Sequence, residues 1–94
     1  MILSFRNQAT AELFQGSTPH RFPAYLARSA MRRLWMLDAA VQLEDVGALP
    51  RNRLESLKGE RTGLYSIRIN RQWRICFRWH EGNAYDVEIT DYHR

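Results

Sequence analysis

Between Ala24 and about Val41 the apolar residues Leu26, Ala30, Leu34, Leu37 and Val41 recur at intervals of four, four, three and four. At 3.6 residues per turn these positions share one side of a helix, so the spacing predicts a helix with a continuous apolar stripe. Pro23 suits its first turn, and Arg28, Arg32 and Arg33 fall away from the stripe. Ahead of it, Ile2, Leu3 and Phe5 suggest a short first strand. Thr10 to Gln15, with Ala11, Leu13 and Phe14, reads as a short helix stopped by Gly16. The segment from Asp45 to Pro50 reads as a loop. Beyond it the period changes to two. Tyr65, Ile67 and Ile69 alternate with Ser66, Arg68 and Asn70; Trp73, Ile75, Phe77 and Trp79 with Arg74, Cys76 and Arg78; Tyr85, Val87 and Ile89 with Asp86, Glu88 and Thr90. Asn70-Arg71-Gln72 and His80-Glu81-Gly82-Asn83 are the turns between these runs. The order β-α-α-β-β-β predicts an α+β fold of two layers, helices packed on one face of an antiparallel sheet.

A chain of 94 residues has room for one core, so residues 1–94 read as a single domain. Hydrophobic residues make up 45% and aromatics 12%, enough for a packed globule and too much for a disordered tail. No apolar run approaches the ~20 residues that span a bilayer, and Met-Ile-Leu-Ser-Phe-Arg is not a signal peptide. The expectation is a cytoplasmic protein with no membrane partner. The lone Cys76, between Ile75 and Phe77, cannot form an internal disulfide and reads as a small packing residue.

Charge changes the picture. The net charge is +4, and thirteen of the fourteen basic residues are arginine, eight of the fourteen lying between Arg51 and Arg78. A guanidinium offers a planar fork matched to phosphate, so an arginine-rich sheet points to an anionic partner. In a three-stranded meander the polar face gathers Arg68, Asn70, Arg74, Arg78, Glu88 and Tyr92. Arg78 has Asp86 and Glu88 to pair with across the strands. Arg68 and Arg74 flank the Asn70 turn with few acids in the neighbouring sequence, and Arg74 is expected to point away from the core residues Trp73, Ile75 and Phe77 with its guanidinium open to a phosphate. RNA cleavage by a 2′-hydroxyl needs a group to take its proton, a donor for the leaving oxygen and cations for the phosphorane. Arg68, Arg74 and Lys58 suit the cations; Tyr92 or His93 suit proton transfer. Clustered carboxylates for two metals are lacking, so no cofactor or metal is expected. On composition alone a non-catalytic nucleic-acid or protein-binding module stays open beside the nuclease.

Three runs carry a resemblance: Asn-Arg-Leu-Glu-Ser-Leu-Lys-Gly-Glu-Arg from Asn52, Tyr-Ser-Ile-Arg-Ile-Asn-Arg-Gln-Trp-Arg-Ile-Cys-Phe from Tyr65, and the ending Val-Glu-Ile-Thr-Asp-Tyr-His from Val87. Together they resemble the HigB toxins, the plasmid maintenance killer branch of the RelE/ParE superfamily, and looser agreement extends over the first half. The resemblance implies a RelE-like fold and a type II toxin. It further implies ribosome-dependent cleavage of mRNA at the A site and neutralisation by a helix-turn-helix antitoxin of the HigA type, through which operator DNA is reached indirectly. It carries catalytic roles to Arg68, Asn70, Arg74, Asp91, Tyr92 and His93, and RNA contacts to Asn52, Arg53, Lys58, Arg61 and Arg71. Two positions depart from the pattern: some relatives have a histidine where Glu55 stands, and many have an acid where Arg71 stands. ParE relatives share the fold but act on DNA gyrase. The Asn-x-Gln-Trp-Arg turn and terminal Asp-Tyr-His favour the ribonuclease branch.

Overall fold

A computed structural model describes residues 1–57 and 63–91 of the chain. Three helices, α1 (Gln8–Phe14), α2 (Leu26–Ala39) and α3 (Leu43–Gly47), precede a single 3-10 turn at Pro50–Asn52. Four strands complete the order: β1 (Glu55–Ser56), β2 (Leu64–Arg68), β3 (Trp73–His80) and β4 (Asn83–Asp91). The strands form one antiparallel sheet in sequence order. This is the expected α+β arrangement of helices on an antiparallel sheet.

The helical stripe works as its spacing predicts over most of its length. Leu26, Ala30, Leu34 and Leu37 are buried and meet Ile67, Ile75, Phe77, Val87 and Ile89 from the sheet in one core. Val41 does not belong to it. The helix ends at Ala39, Ala40 turns extended, and Val41 is left exposed. The segment expected to loop from Asp45 folds as α3. The Asp45 carboxylate reaches back to accept from the backbone N–H of Val41 (3.1 Å) and Gln42 (2.9 Å), satisfying donors at that helix start. The short helix near the N-terminus also begins earlier than expected, because the Asn7 side chain accepts from the Thr10 N–H at 2.9 Å.

The first segment is not a regular strand. It runs parallel to β4 and pairs with it through isolated bridges, Ile2 with Ala84 and Phe5 with Val87, while the Ser4 hydroxyl accepts from the Asp86 N–H at 2.8 Å. The reason lies in β4, where the alternation expected from Tyr85 onward breaks. Cys76 pairs with Glu88 but Arg78 pairs with Tyr85, so a β-bulge intervenes, and Asp86 adopts φ 53°. The extra residue moves Ala84 into the core in place of Tyr85 and keeps Val87 and Ile89 there. Glu81 and Gly82, at φ 48° and 81°, are the two left-handed residues of the β3–β4 turn.

Candidate active site

The hairpin between β2 and β3 places the basic residues. Asn70 shapes it: its Oδ1 accepts from the backbone N–H of Gln72 and of Trp73, each at 2.9 Å, a side-chain-closed turn of the kind asparagine favours. Asn70 can still offer its amide nitrogen as a donor. Below the turn Arg68 and Arg74 are cross-strand partners. Like charges directly opposite one another are unfavourable unless an anion joins them. β1 supplies one. Glu55 pairs in register with Ser66, on the face that Arg68 and Arg74 share, and its Oε1 lies 2.8 Å from Arg74 Nη2.

That contact corrects the expectation for Arg74. It lies on the polar face as expected but is only 8% exposed. Its Nε donates to Ser66 Oγ at 2.9 Å and its Nη2 to the Arg53 carbonyl at 2.8 Å. Arg53 holds a left-handed φ of 45°, a conformation that costs a non-glycine residue about 1 kcal/mol or more. The segment from Arg53 to Glu55 thus covers the Arg74 guanidinium. Glu55, distant in sequence, reaches Arg74 from the far side of β2. Arg74 holds the Glu55 carboxylate by an ion pair at 2.8 Å.

Around this pair opens a cleft of about 550 Å³ lined by Arg53, Leu54, Glu55, Arg68, Asn70, Arg71 and Arg74. Arg68 is held across the turn by Nε donating to the Asn70 carbonyl at 3.1 Å, and Arg71 stands exposed at the tip. Of the expected site residues the cleft therefore brings together Arg53, Arg68, Asn70, Arg71 and Arg74. Asp91 is not part of its lining; at the end of β4, its Oδ2 accepts from Gln72 Nε2 at 3.0 Å. Asn52 is corrected outright. It is 1% exposed and its Nδ2 donates to the Val46 carbonyl at 2.8 Å and lies 3.1 Å from Met36 Sδ, so its amide ties the 3-10 turn to α3 and α2 instead of reaching out to RNA. Lys58, Arg61, Tyr92 and His93 lie outside the described residues. The pairing expected for Arg78 is present but long, 3.9 Å to Asp86, with both side chains half exposed.

Glu55, the cleft's one carboxylate among the described residues, stands out in the sequence only as a departure from the HigB pattern. A further signal is available there. Between Arg51 and Arg78 the chain contains two acids, Glu55 and Glu60, among eight basic residues. An isolated acid in such a stretch must sit close to several cations.

Comparison with known proteins decides the family. Residues 3–93 match the family described as RelE-like toxin of type II toxin-antitoxin system HigB. The chain belongs to the HigB-like toxins. Among curated relatives, Toxin HigB-1 of Vibrio cholerae is 34% identical over 90 residues, covering 95% of each chain. Endoribonuclease HigB of Proteus vulgaris is 35% identical over 95 residues, covering 99% of this chain and 100% of the relative. An uncharacterized protein of Haemophilus influenzae is 31% identical over 90 residues, 95% of this chain and 88% of its own. Membership of the HigB-like family implies an antitoxin partner for this toxin. Among the described residues no helix is long and apolar enough to cross a membrane.

Proposed function

We propose that this HigB-like toxin is a ribosome-dependent endoribonuclease that cuts translated mRNA at the A site, with the cleft between β1 and the β2–β3 hairpin as its active site. The supporting observation is the setting of Glu55, a carboxylate on an exposed side chain held by a buried arginine at the edge of an arginine-lined cleft. In this reading Glu55 takes the proton of the attacking 2′-hydroxyl. The oxygen attacks the adjacent phosphorus, the 5′-oxygen leaves, and a 2′,3′-cyclic phosphate results. Arg53, Arg68 and Arg71 surround the charge that builds on the non-bridging oxygens, and the Asn70 amide adds a neutral donor. Tyr92 and His93, directly after β4 in sequence, are the candidates to protonate the leaving oxygen. Four arginines around a single carboxylate repel a divalent cation, so the reaction proceeds in this reading without a metal.

Ribosome dependence is a consequence of the cleft's composition. It offers charge and one base but little to fix an RNA strand in line, and proximity can contribute on the order of 7–11 kcal/mol. The ribosome supplies that positioning. The partner is a helix-turn-helix antitoxin of the HigA type that carries the complex to operator DNA, and both act in the cytoplasm. Relatives named as a HigB toxin and as an endoribonuclease support this reading over gyrase poisoning. Expression under tight control, with mRNA 5′ ends mapped on translating ribosomes, tests it. New ends at a fixed offset within A-site codons are expected; intact mRNA in growth-arrested cells would defeat the proposal.

A further inference from the structure

The basic surface does not stop at the cleft. A second hollow of about 320 Å³ shares Arg53, Arg68, Asn70 and Arg71 with it and adds Arg33 and Arg51. A third, of about 300 Å³, shares Arg33 and Arg51 with the second and is completed by Arg32, Met36, Leu49 and Asn52. The three run together as one trough from the hairpin tip to the flank of α2.

Beyond the Glu55–Arg74 pair, its charge is not neutralised by the described residues. Arg32, Arg33, Arg51, Arg53 and Arg71 make no ion pair with an acid among the described residues. Arg33 is fixed in place, its Nε donating to the Arg68 carbonyl at 2.8 Å and one terminal nitrogen to the Ser29 carbonyl at 3.1 Å. Burial first, then the neighbouring charges of Arg32 and Arg51, pull its pKa below the ordinary arginine value. Cations crowded onto a trough that holds a single carboxylate among its described residues are stabilised by a polyanion laid along it. Met36 and the half-exposed Leu49 give the far end an apolar floor, which a base or ribose can cover and an isolated phosphate would leave bare.

We infer that the α2 end of the trough is a second RNA subsite, in which Arg32 and Arg51 hold backbone phosphates of a strand outside the cleavage cleft. The inference rests on the ribonuclease reading, because the shared arginines make the trough continuous with the cleft. Arg33 positions the hairpin as well, so the test uses Arg32 and Arg51, both exposed.

The purified full chain carrying Arg32→Gln and Arg51→Gln is compared with an Arg21→Gln/Arg28→Gln variant, which loses the same charge elsewhere. Both are titrated with a non-cleavable 2′-O-methyl RNA of about 12 nucleotides and with vacant ribosomes, over a range of salt. Two lost phosphate contacts should flatten the slope of log K against log salt by about 1.4 for the first variant and leave the control close to wild type. Each single substitution should take about half of that. Flattening with the oligonucleotide assigns the phosphates to mRNA; flattening with ribosomes alone assigns them to ribosomal RNA, and either supports the subsite. Unchanged slopes on both probes in a folded variant overturn it. So does a loss confined to antitoxin capture, which would give the trough to an acidic protein segment. Cleavage is not read, so wild-type chain that binds both probes but never cuts mRNA would sink the ribonuclease reading alone.

Discussion

At Glu55 the carboxylate is presented on a side chain 63% exposed, while its partner Arg74 is 10% exposed at the side chain. The two should therefore respond differently to substitution. Glu55→Gln keeps the shape and removes the base, and should lower cleavage by roughly 10²–10⁴-fold while leaving thermal unfolding close to wild type. Glu55→His restores a proton acceptor at the same place and should recover part of the activity. If Glu55→Gln cuts mRNA at the wild-type rate, another group is the base. Arg74→Ala should instead destabilise the fold by about 3 kcal/mol, because it strands the buried Ser66 hydroxyl and leaves the left-handed Arg53 without the contact that holds it. Denaturant midpoints read this directly. A folded but inactive Arg74→Ala of wild-type stability would return Arg74 to a direct role at the phosphate.

Among the elements, the β2–β3 hairpin sets the cleft, and Asn70 and Trp73 make its two kinds of contribution. Asn70→Ala loses both hydrogen bonds that close the turn and should cost about 1–2 kcal/mol with a larger loss of cleavage, since Arg68 is anchored on the same turn. Trp73 packs edge-on against Phe22 at 5.8 Å and is 8% exposed. Trp73→Ala should lose about 3–5 kcal/mol, read as a fall in unfolding midpoint. The apolar periods of α2, β2 and β3 are legible in the sequence because each buries one face and the side chains keep strict count. The bulge at Asp86 is not, because an inserted residue leaves a polar residue polar and changes only the register beyond it. α3 escapes a reading of the sequence because Gly47 and Pro50 dominate the local composition while its start depends on one Asp45 side chain. The two residues of β1 are too few to show a period. Yet β1 buries Arg74 and brings Glu55 into the cleft beside Arg53, Arg68 and Arg71, a carboxylate whose place at the cleft no sequence period announces.

For the whole molecule, the central claim is that a small arginine-lined cleft with one carboxylate becomes an efficient nuclease only when the ribosome holds its substrate. Family membership implies an antitoxin, and a short helix-turn-helix gene directly beside this one should yield a stable complex on co-expression. If the two proteins purify apart, the HigA-type assignment fails. The most direct measurement uses purified chain and a defined mRNA, either naked or set on ribosomes with an open A site, with cleavage rates compared for wild type and Glu55→Gln. The account predicts fast cutting by wild type on ribosomes, weak or no cutting of naked mRNA, and loss of the ribosomal cutting in Glu55→Gln. Equal rates with and without ribosomes would contradict it.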